Sequence, residues 1–336
     1  MANTMQAIVT TTNAKQPLTL SEVPMPTLAA NDILVRLNAA SVNPVDQKQR
    51  QGAVANATPK ILGFDGAGEV TAVGVDVTKF KIGDKVFYAG ELGRTGSNAQ
   101  FQAVREELAA FVPESISLTK AAAVPLTFLT AYEILIDKFH LTPVANSASG
   151  KTILIINGAG GVGSAMIQLA KWLGLTVIAS SSRPETIKWV QDLGADYTVN
   201  HYADYPAEIK DLGFDTVPYV AVLNSIDTHL ARAAQIVSPF GHIGMIVEPS
   251  AELPIGGLLK SKAVSLDWEF MFAKAANNFD VASQGTALAL AAKLIDTGHY
   301  QSPLTVTNYG MTVETIFASQ EIVGAGKVMG KLVIEY

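Results

Sequence analysis

The stretch Thr152–Gly174, TILIINGAGGVGSAMIQLAKWLG, decides the fold. It opens on an isoleucine-rich apolar run that reads as a buried strand. Four glycines follow within six residues: Gly158, Gly160, Gly161 and Gly163. The run after them is periodically apolar and stops at Gly174, which reads as a helix with a glycine just past its end. Strand, glycine turn and helix form the first half of a βαβ unit.

The same alternation continues downstream. ILIIN is followed by SAMIQLAKWLG and TVIAS by PETIKWVQDLG; ADYTV, YVAVL with IDTHLARAAQIV, GHIGMIV and AVSLDWEF complete the series. Six short apolar strands separated by helical patterns describe an α/β fold, a doubly wound and mostly parallel sheet of the Rossmann kind. Upstream, residues 1 to about 125 are mostly β, with segments such as MQAIVT, DILVRLNAASV, GAGEVTAVG and GDKVFYA punctuated by Gly, Pro and Asp in a barrel-like pattern. A further helix is expected around Val281–Thr297. The closing GKVMGKLVIEY cannot easily extend a parallel sheet without another crossover, so it is expected to return to the first domain. The expected organisation is therefore 1–125 and 273–336 in one domain and 126–272 in the other. PVANSASGK, small and polar, reads as the joint before Thr152.

Composition narrows the class. Of 336 residues, 49% are hydrophobic and 16% charged, which suits a well-buried globular chain. The net charge is −6, and no block of five basic residues offers a nucleic-acid backbone a partner. No run of about 18 apolar residues reads as a membrane span. The opening MANTMQAIVTTTNAKQ lacks an apolar stretch of signal-peptide length, so a cytoplasmic location is expected. The chain has no cysteine, which removes disulfides, thiolate nucleophiles and every Cys-containing zinc site. The five histidines (His140, His201, His229, His242, His299) are scattered without an HxxxH pair and read as loop or surface residues.

Gly158, Gly160 and Gly163 satisfy G-x-G-x-x-G, with Gly161 and Val162 completing the turn. A ligand-free βα turn could carry the same glycines. The strand before and the helix after favour a dinucleotide: Gly158 permits the turn, Gly160 the approach of a pyrophosphate, and Gly163 close packing of helix on strand. Where an NAD site places a carboxylate on the ribose, the second strand here runs into Ser181, Ser182 and Arg183. A guanidinium at that point favours a 2′-phosphate, so NADPH is the expected cofactor; the alternative is a solvated loop arginine before a Pro-initiated helix. Leu223 at the end of the fourth strand, and Gly244 and Val247 on or after the fifth, stand at carboxyl ends where such sheets bind ligands.

The β-rich start, NPVDQKQRQG, ILGFDGAGEVTAVG, GDKVF, AAAVPLTFLTAYEIL, the glycine turn and the closing GKLVIEY occur in the order found in medium-chain dehydrogenases/reductases. The chain resembles that family over nearly its whole length, and within it the zinc-free quinone oxidoreductase branch, whose members include zinc-type alcohol dehydrogenase-like proteins. The resemblance implies a GroES-like catalytic domain, a Rossmann domain inserted into it, an active site in the cleft and a homodimer joined through the last Rossmann strand, here AVSLDWEF. It places Asn43, Phe64 and Leu126 where the zinc enzymes have Cys, His and Cys, so no metal is expected. It places Thr130 beside the nicotinamide, although a helix-interior threonine reads equally well. Asp65 matches an acidic position behind the zinc, with a structural hydrogen bond as its expected role.

Without a Lewis acid, hydride transfer to a saturated ketone is difficult, whereas an enone or quinone spreads the charge. The expected activity is therefore reduction of a quinone or α,β-unsaturated carbonyl. An alcohol or aldehyde dehydrogenase and a non-catalytic NADPH-binding sensor or structural protein are the rivals. Asn43 reads either as an amide donor to the acceptor oxygen or as a turn residue before Pro44. Lys48 stands where quinone-reductase relatives carry a tyrosine, and reads either as a cationic donor or as a solvated lysine. Trp268, Phe270 and Phe272 read as one aromatic cluster, lining a pocket or a dimer core.

Overall fold

The computed structural model describes residues 4–56 and 59–336. The chain begins with strands β1 (Thr4–Thr10), β2 (Leu18–Pro24) and β3 (Asp32–Val42), then helix α1 (Pro44–Ala55). Strands β4 (Asp65–Val73), β5 (Lys85–Ala89), β6 (Phe101–Arg105) and β7 (Ala109–Phe111) follow, with helices α2 (Leu118–Ala122) and α3 (Pro125–Glu133). Strand and helix then alternate: β8 (Thr152–Ile156), α4 (Gly161–Trp172), β9 (Thr176–Ser180), α5 (Pro184–Asp192), β10 (Tyr197–Val199) and α6 (Tyr205–Asp211). The series runs on through β11 (Val217–Val222), α7 (Ile226–Ile236), β12 (Val237–Met245), α8 (Leu258–Ser261) and β13 (Ser265–Trp268). Helices α9 (Ala273–Ala276) and α10 (Ala282–Asp296), strand β14 (Leu304–Tyr309), helix α11 (Val313–Gly324) and strand β15 (Lys331–Glu335) close it.

Contacts divide the chain into two units, one running to Leu129 and resuming at Phe272–Tyr336, the other Thr130–Met271. The second unit holds a six-stranded sheet in the order β10-β9-β8-β11-β12-β13, with every pairing parallel. Ile153, Leu154, Ile155 and Ile156 are all buried, as an apolar run must be when both faces of a parallel strand are covered. Leu154, Ile156, Val220, Val222 and Ile243 share one core with Leu230 and Ile236 of α7. The strand order reverses between β8 and β11, and ligands of such sheets bind at the carboxyl ends beside that reversal. This is the expected Rossmann arrangement.

The first unit is the GroES-like one. Its main sheet runs β14-β15-β3-β4-β5-β7, with β6 paired to β3, and β1 and β2 form a separate antiparallel pair. The last strand, β15, lies between β14 and β3, parallel to the former and antiparallel to the latter. Gly285 lets α10 approach closely: a Cβ there would stand 2.3 Å from the Glu107 carbonyl oxygen.

Four readings of the sequence are corrected. PVANSASGK is no joint, because Asn146 and Ala148 donate their N–H groups to Trp172 (3.0 Å) and Leu173 (2.8 Å), tying the segment to the end of α4. Asn43, read either as an amide donor or as a turn residue before Pro44, is the extended N-cap of α1, and Pro44 is the helix's first residue, so the turn alternative falls. His229 is buried on α7, and His242 lies on β12 with Nδ1 2.9 Å from the Asp267 carboxylate, so neither is a loop or surface residue. Trp268 and Phe270 are 46% and 52% exposed, whereas Phe272 is buried against Phe64 with ring centroids 4.5 Å apart. The three aromatics do not share one environment.

Candidate functional site

In the parallel-sheet unit the glycine turn is held against the end of β9. Asn157 takes the left-handed conformation (φ 68°) that asparagine tolerates better than most residues, and its N–H donates to Ser180 Oγ at 2.8 Å. Gly158 N–H donates to the Ser180 carbonyl at 3.1 Å. A Cβ on Gly158 would lie 2.9 Å from that of Ala179, and one on Gly163 would lie 2.4 Å from the Asn157 carbonyl oxygen. Only glycine fits either place. Gly160 is the N-cap of α4, so the N–H groups of Gly161, Val162 and Gly163 lack intrahelical acceptors and form the positive end of a 12-residue helix. The cradle suits the pyrophosphate of a dinucleotide.

Beyond β9, Ser181 is buried and donates to Thr186 Oγ1 at 2.6 Å, Ser182 is half-buried, and Arg183 is the N-cap of α5. The Arg183 side chain is 55% exposed, with Nε 3.0 Å from Glu185 Oε1. His201, read from the sequence only as a loop or surface residue, borders the same strand end, its Nδ1 3.3 Å from Ser180 Oγ. Burial holds the His229 imidazole down at about 4, with His201 and Arg232 adding to the effect. Leu223 follows β11, and Val247 lies two residues past β12 and is half-buried. Gly244 serves packing: a Cβ there would meet Ile134 and Phe139 at 3.0 Å. Thr130 is buried on α3.

In the GroES-like unit a buried polar cluster forms around Asn43, which is 1% exposed. Asn43 Nδ2 donates to Asp65 Oδ2 at 2.8 Å, and Lys331 Nζ donates to Asn43 Oδ1 at 2.5 Å. The ammonium also reaches Asp65 Oδ2 and the Val42 carbonyl, each at 3.3 Å. Its three donors thus have three acceptors. Asp65 Oδ1 accepts the Leu126 N–H at 2.8 Å, so this carboxylate does make the structural hydrogen bonds expected of it. Asp46 Oδ2 accepts the Asn43 backbone N–H at 2.7 Å, while its Oδ1 is buried without a partner. Burial pushes the Asp46 carboxyl up to about 7, with the Asp65 charge adding to the rise. Burial pulls the Lys331 ammonium down, although Asp65 and Asp46 oppose this. Lys48 is exposed on α1 and takes no part in these hydrogen bonds.

Sequence reasoning missed Lys331 and Asp46. The available signal was a lysine opening the terminal strand KLVIE, directly ahead of three apolar residues, a position that demands partners when buried.

Residues 29–115 match the alcohol dehydrogenase GroES-like domain and residues 161–269 the zinc-binding dehydrogenase domain. The chain is 41% identical over 310 residues to the zinc-type alcohol dehydrogenase-like protein SAS2087 of Staphylococcus aureus strain MSSA476, covering 92% of each. It belongs to the medium-chain dehydrogenase/reductase family. Over 59% of its length it is 37% identical to the chloroplastic NADPH-dependent alkenal/one oxidoreductase of Arabidopsis thaliana, spanning 53% of that protein. Among solved structures, a candidate zinc-dependent alcohol dehydrogenase from Rhizobium etli matches with TM-score 0.93 at 37% identity, over 100% of this chain and 99% of that one. The quinone oxidoreductase of Coxiella burnetii matches with TM-score 0.82 at 26% identity, over 99% of each.

The family includes zinc enzymes, and the residues here do not fit zinc. Phe64 and Leu126 have no lone pair to offer. The oxygens that remain, Asn43 Oδ1, Asp65 Oδ2 and the Val42 carbonyl, are already bonded to the Lys331 ammonium.

Proposed function

We propose that the protein is an NADPH-dependent reductase of quinones and α,β-unsaturated carbonyls that works without zinc. The observation that carries this reading is a donor set made only of hydrogen bonds, the Asn43 amide fixed between Lys331 and Asp65. NADPH, when bound, supplies the hydride. The glycine cradle and the positive end of α4 would hold its pyrophosphate, and Arg183 and Ser182 would hold its 2′-phosphate. The Asn43 amide takes the acceptor oxygen as it gains negative charge. Such a donor set serves a delocalised enolate or hydroquinone better than a localised alkoxide. The name of the Arabidopsis relative supports both the cofactor and the acceptor class, and the Coxiella relative supports quinones.

Following NADPH and NADH consumption against quinones, enones, saturated ketones and aldehydes tests the reading. Faster turnover with NADPH and conjugated acceptors is expected; equal use of NADH, or no NADPH-linked turnover, would sink it. We also propose a homodimer through β13, which pairs only with β12 among the described residues and exposes Trp268. Sedimentation should give twice the chain mass, and Trp268→Glu should give the monomer. A wild-type monomer would refute it.

A further inference from the structure

Resting on the reading of Asn43 as the acceptor-oxygen donor, we propose that Lys331 is a positioning residue: its ammonium locks the Asn43 amide with one N–H left for the acceptor. An asparagine amide has a donor end and an acceptor end of nearly equal shape, and only its partners fix which way it faces. An ammonium can only donate, and an ionised carboxylate can only accept. Lys331 therefore turns Oδ1 toward itself, and Asp65 turns Nδ2 the other way. The amide cannot flip without setting N–H against ammonium and oxygen against carboxylate.

This arrangement uses one Nδ2 hydrogen. The second finds no acceptor among the described residues, although Asn43 is almost wholly buried. A buried donor left unmade is costly, which is the expected state of a group that waits for a ligand oxygen. The ammonium on Oδ1 also draws electron density through the amide and strengthens that N–H as a donor. Lys331 touches neither acceptor nor cofactor in this scheme; it acts through Asn43.

The absence of cysteine from the chain gives a clean test. Lys331→Cys can be alkylated in denaturant with bromoethylamine, restoring an ammonium at nearly the lysine length, or with propyl iodide, giving a neutral chain of equal size. Both are refolded and compared with Asn43→Ala, with and without the neutral side chain. With an enone, the aminoethyl protein should regain most of the wild-type kcat, and the propyl protein should lose about ten- to a hundredfold, within the range of a lost oxyanion donor. NADPH affinity should stay within about twofold, since the cofactor reading places no contact here. Adding the neutral side chain to Asn43→Ala should lower kcat no further, because both changes remove the same contact.

Wild-type kcat in the propyl protein, or losses that multiply in the double variant, would overturn the positioning role. So would a propyl chain that fails to refold where the aminoethyl chain succeeds, because the ammonium would then be holding the fold. The wild-type control separates the two proposals. Absence of any NADPH-linked enone or quinone reduction counts against the proposed activity, whereas activity indifferent to the charge at position 331 counts against the lock alone.

Discussion

At the residue scale, the proposed preference for NADPH rests on Arg183 and its neighbour. Arg183 is more than half exposed and pairs with Glu185, so its charge is partly spent and screened before any phosphate arrives. Its contribution to a 2′-phosphate contact belongs at the low end of charge-assisted bonds. Arg183→Ala is expected to weaken NADPH about three- to tenfold in a fluorescence titration and to leave NADH unchanged. On the same proposal Glu185 would work the other way, since it already holds the guanidinium and would repel a phosphate there. Glu185→Gln should tighten NADPH about two- to threefold. Equal shifts for both cofactors in either variant would mean that the residue shapes the loop without reading the phosphate. That Ser181, Ser182 and Arg183, with no carboxylate among them, follow β9 was legible in the sequence, because it is local. The sequence could not show the Arg183–Glu185 ion pair, since that depends on how the first turn of α5 aims two side chains.

At the element scale, the end of β13 carries a buried acid pair. Glu269 follows the strand, is buried with Oε1 unpartnered, and hydrogen-bonds through its carboxyl to Glu133, the last residue of α3. Burial, with the Glu133 charge beside it, raises the Glu269 carboxyl well above its ordinary value of 4.5. The folded protein therefore keeps a proton that the unfolded chain has released once the pH passes that value. Stability from this group is fully present below 4.5 and is lost as pH rises toward the raised folded value. Between pH 6 and 8 the unfolding free energy from urea titration should fall by up to about 1.4 kcal/mol per pH unit for each proton retained, Glu269 acting across the range and Asp46 up to about 7. Glu269→Gln, neutral at every pH, should flatten that fall; an unchanged slope would place the proton elsewhere. The strands were easy to read from sequence because parallel strands covered on both faces become unbroken apolar runs, as Ile153–Ile156 show. Helix α1 was hard, since VDQKQRQG is polar and carries Gly52, and its helical state rests on Pro44 and the Asp46 cap.

At the scale of the whole molecule, the polar cluster of the GroES-like unit joins the two ends of the chain. Lys331 and Asn43 are 288 residues apart in sequence and 2.5 Å apart in space. That separation is why a lone lysine in the closing strand carried no meaning until β15 was seen beside β3. On the proposed function, the cluster also sets which acceptors the molecule should serve. Its cation is an ammonium with all three hydrogens committed, and Phe64 and Leu126, which the resemblance sets at zinc positions, carry no metal donor, so on this reading no group of the cluster would polarise a carbonyl as strongly as a metal would. One amide N–H remains, and its effect depends on how widely the acceptor spreads its charge. An enone and the matching saturated ketone present the same oxygen to that donor but develop an enolate in one case and an alkoxide in the other. With exhaustively chelated protein, kcat/KM for the enone is expected to exceed that for the ketone by about a hundredfold or more, the scale set by oxyanion stabilisation. Added zinc should leave the ratio where it is. Similar rates for the pair, or a ketone activity restored by zinc, would show that the chain reduces localised carbonyls through a metal that its own donors do not favour.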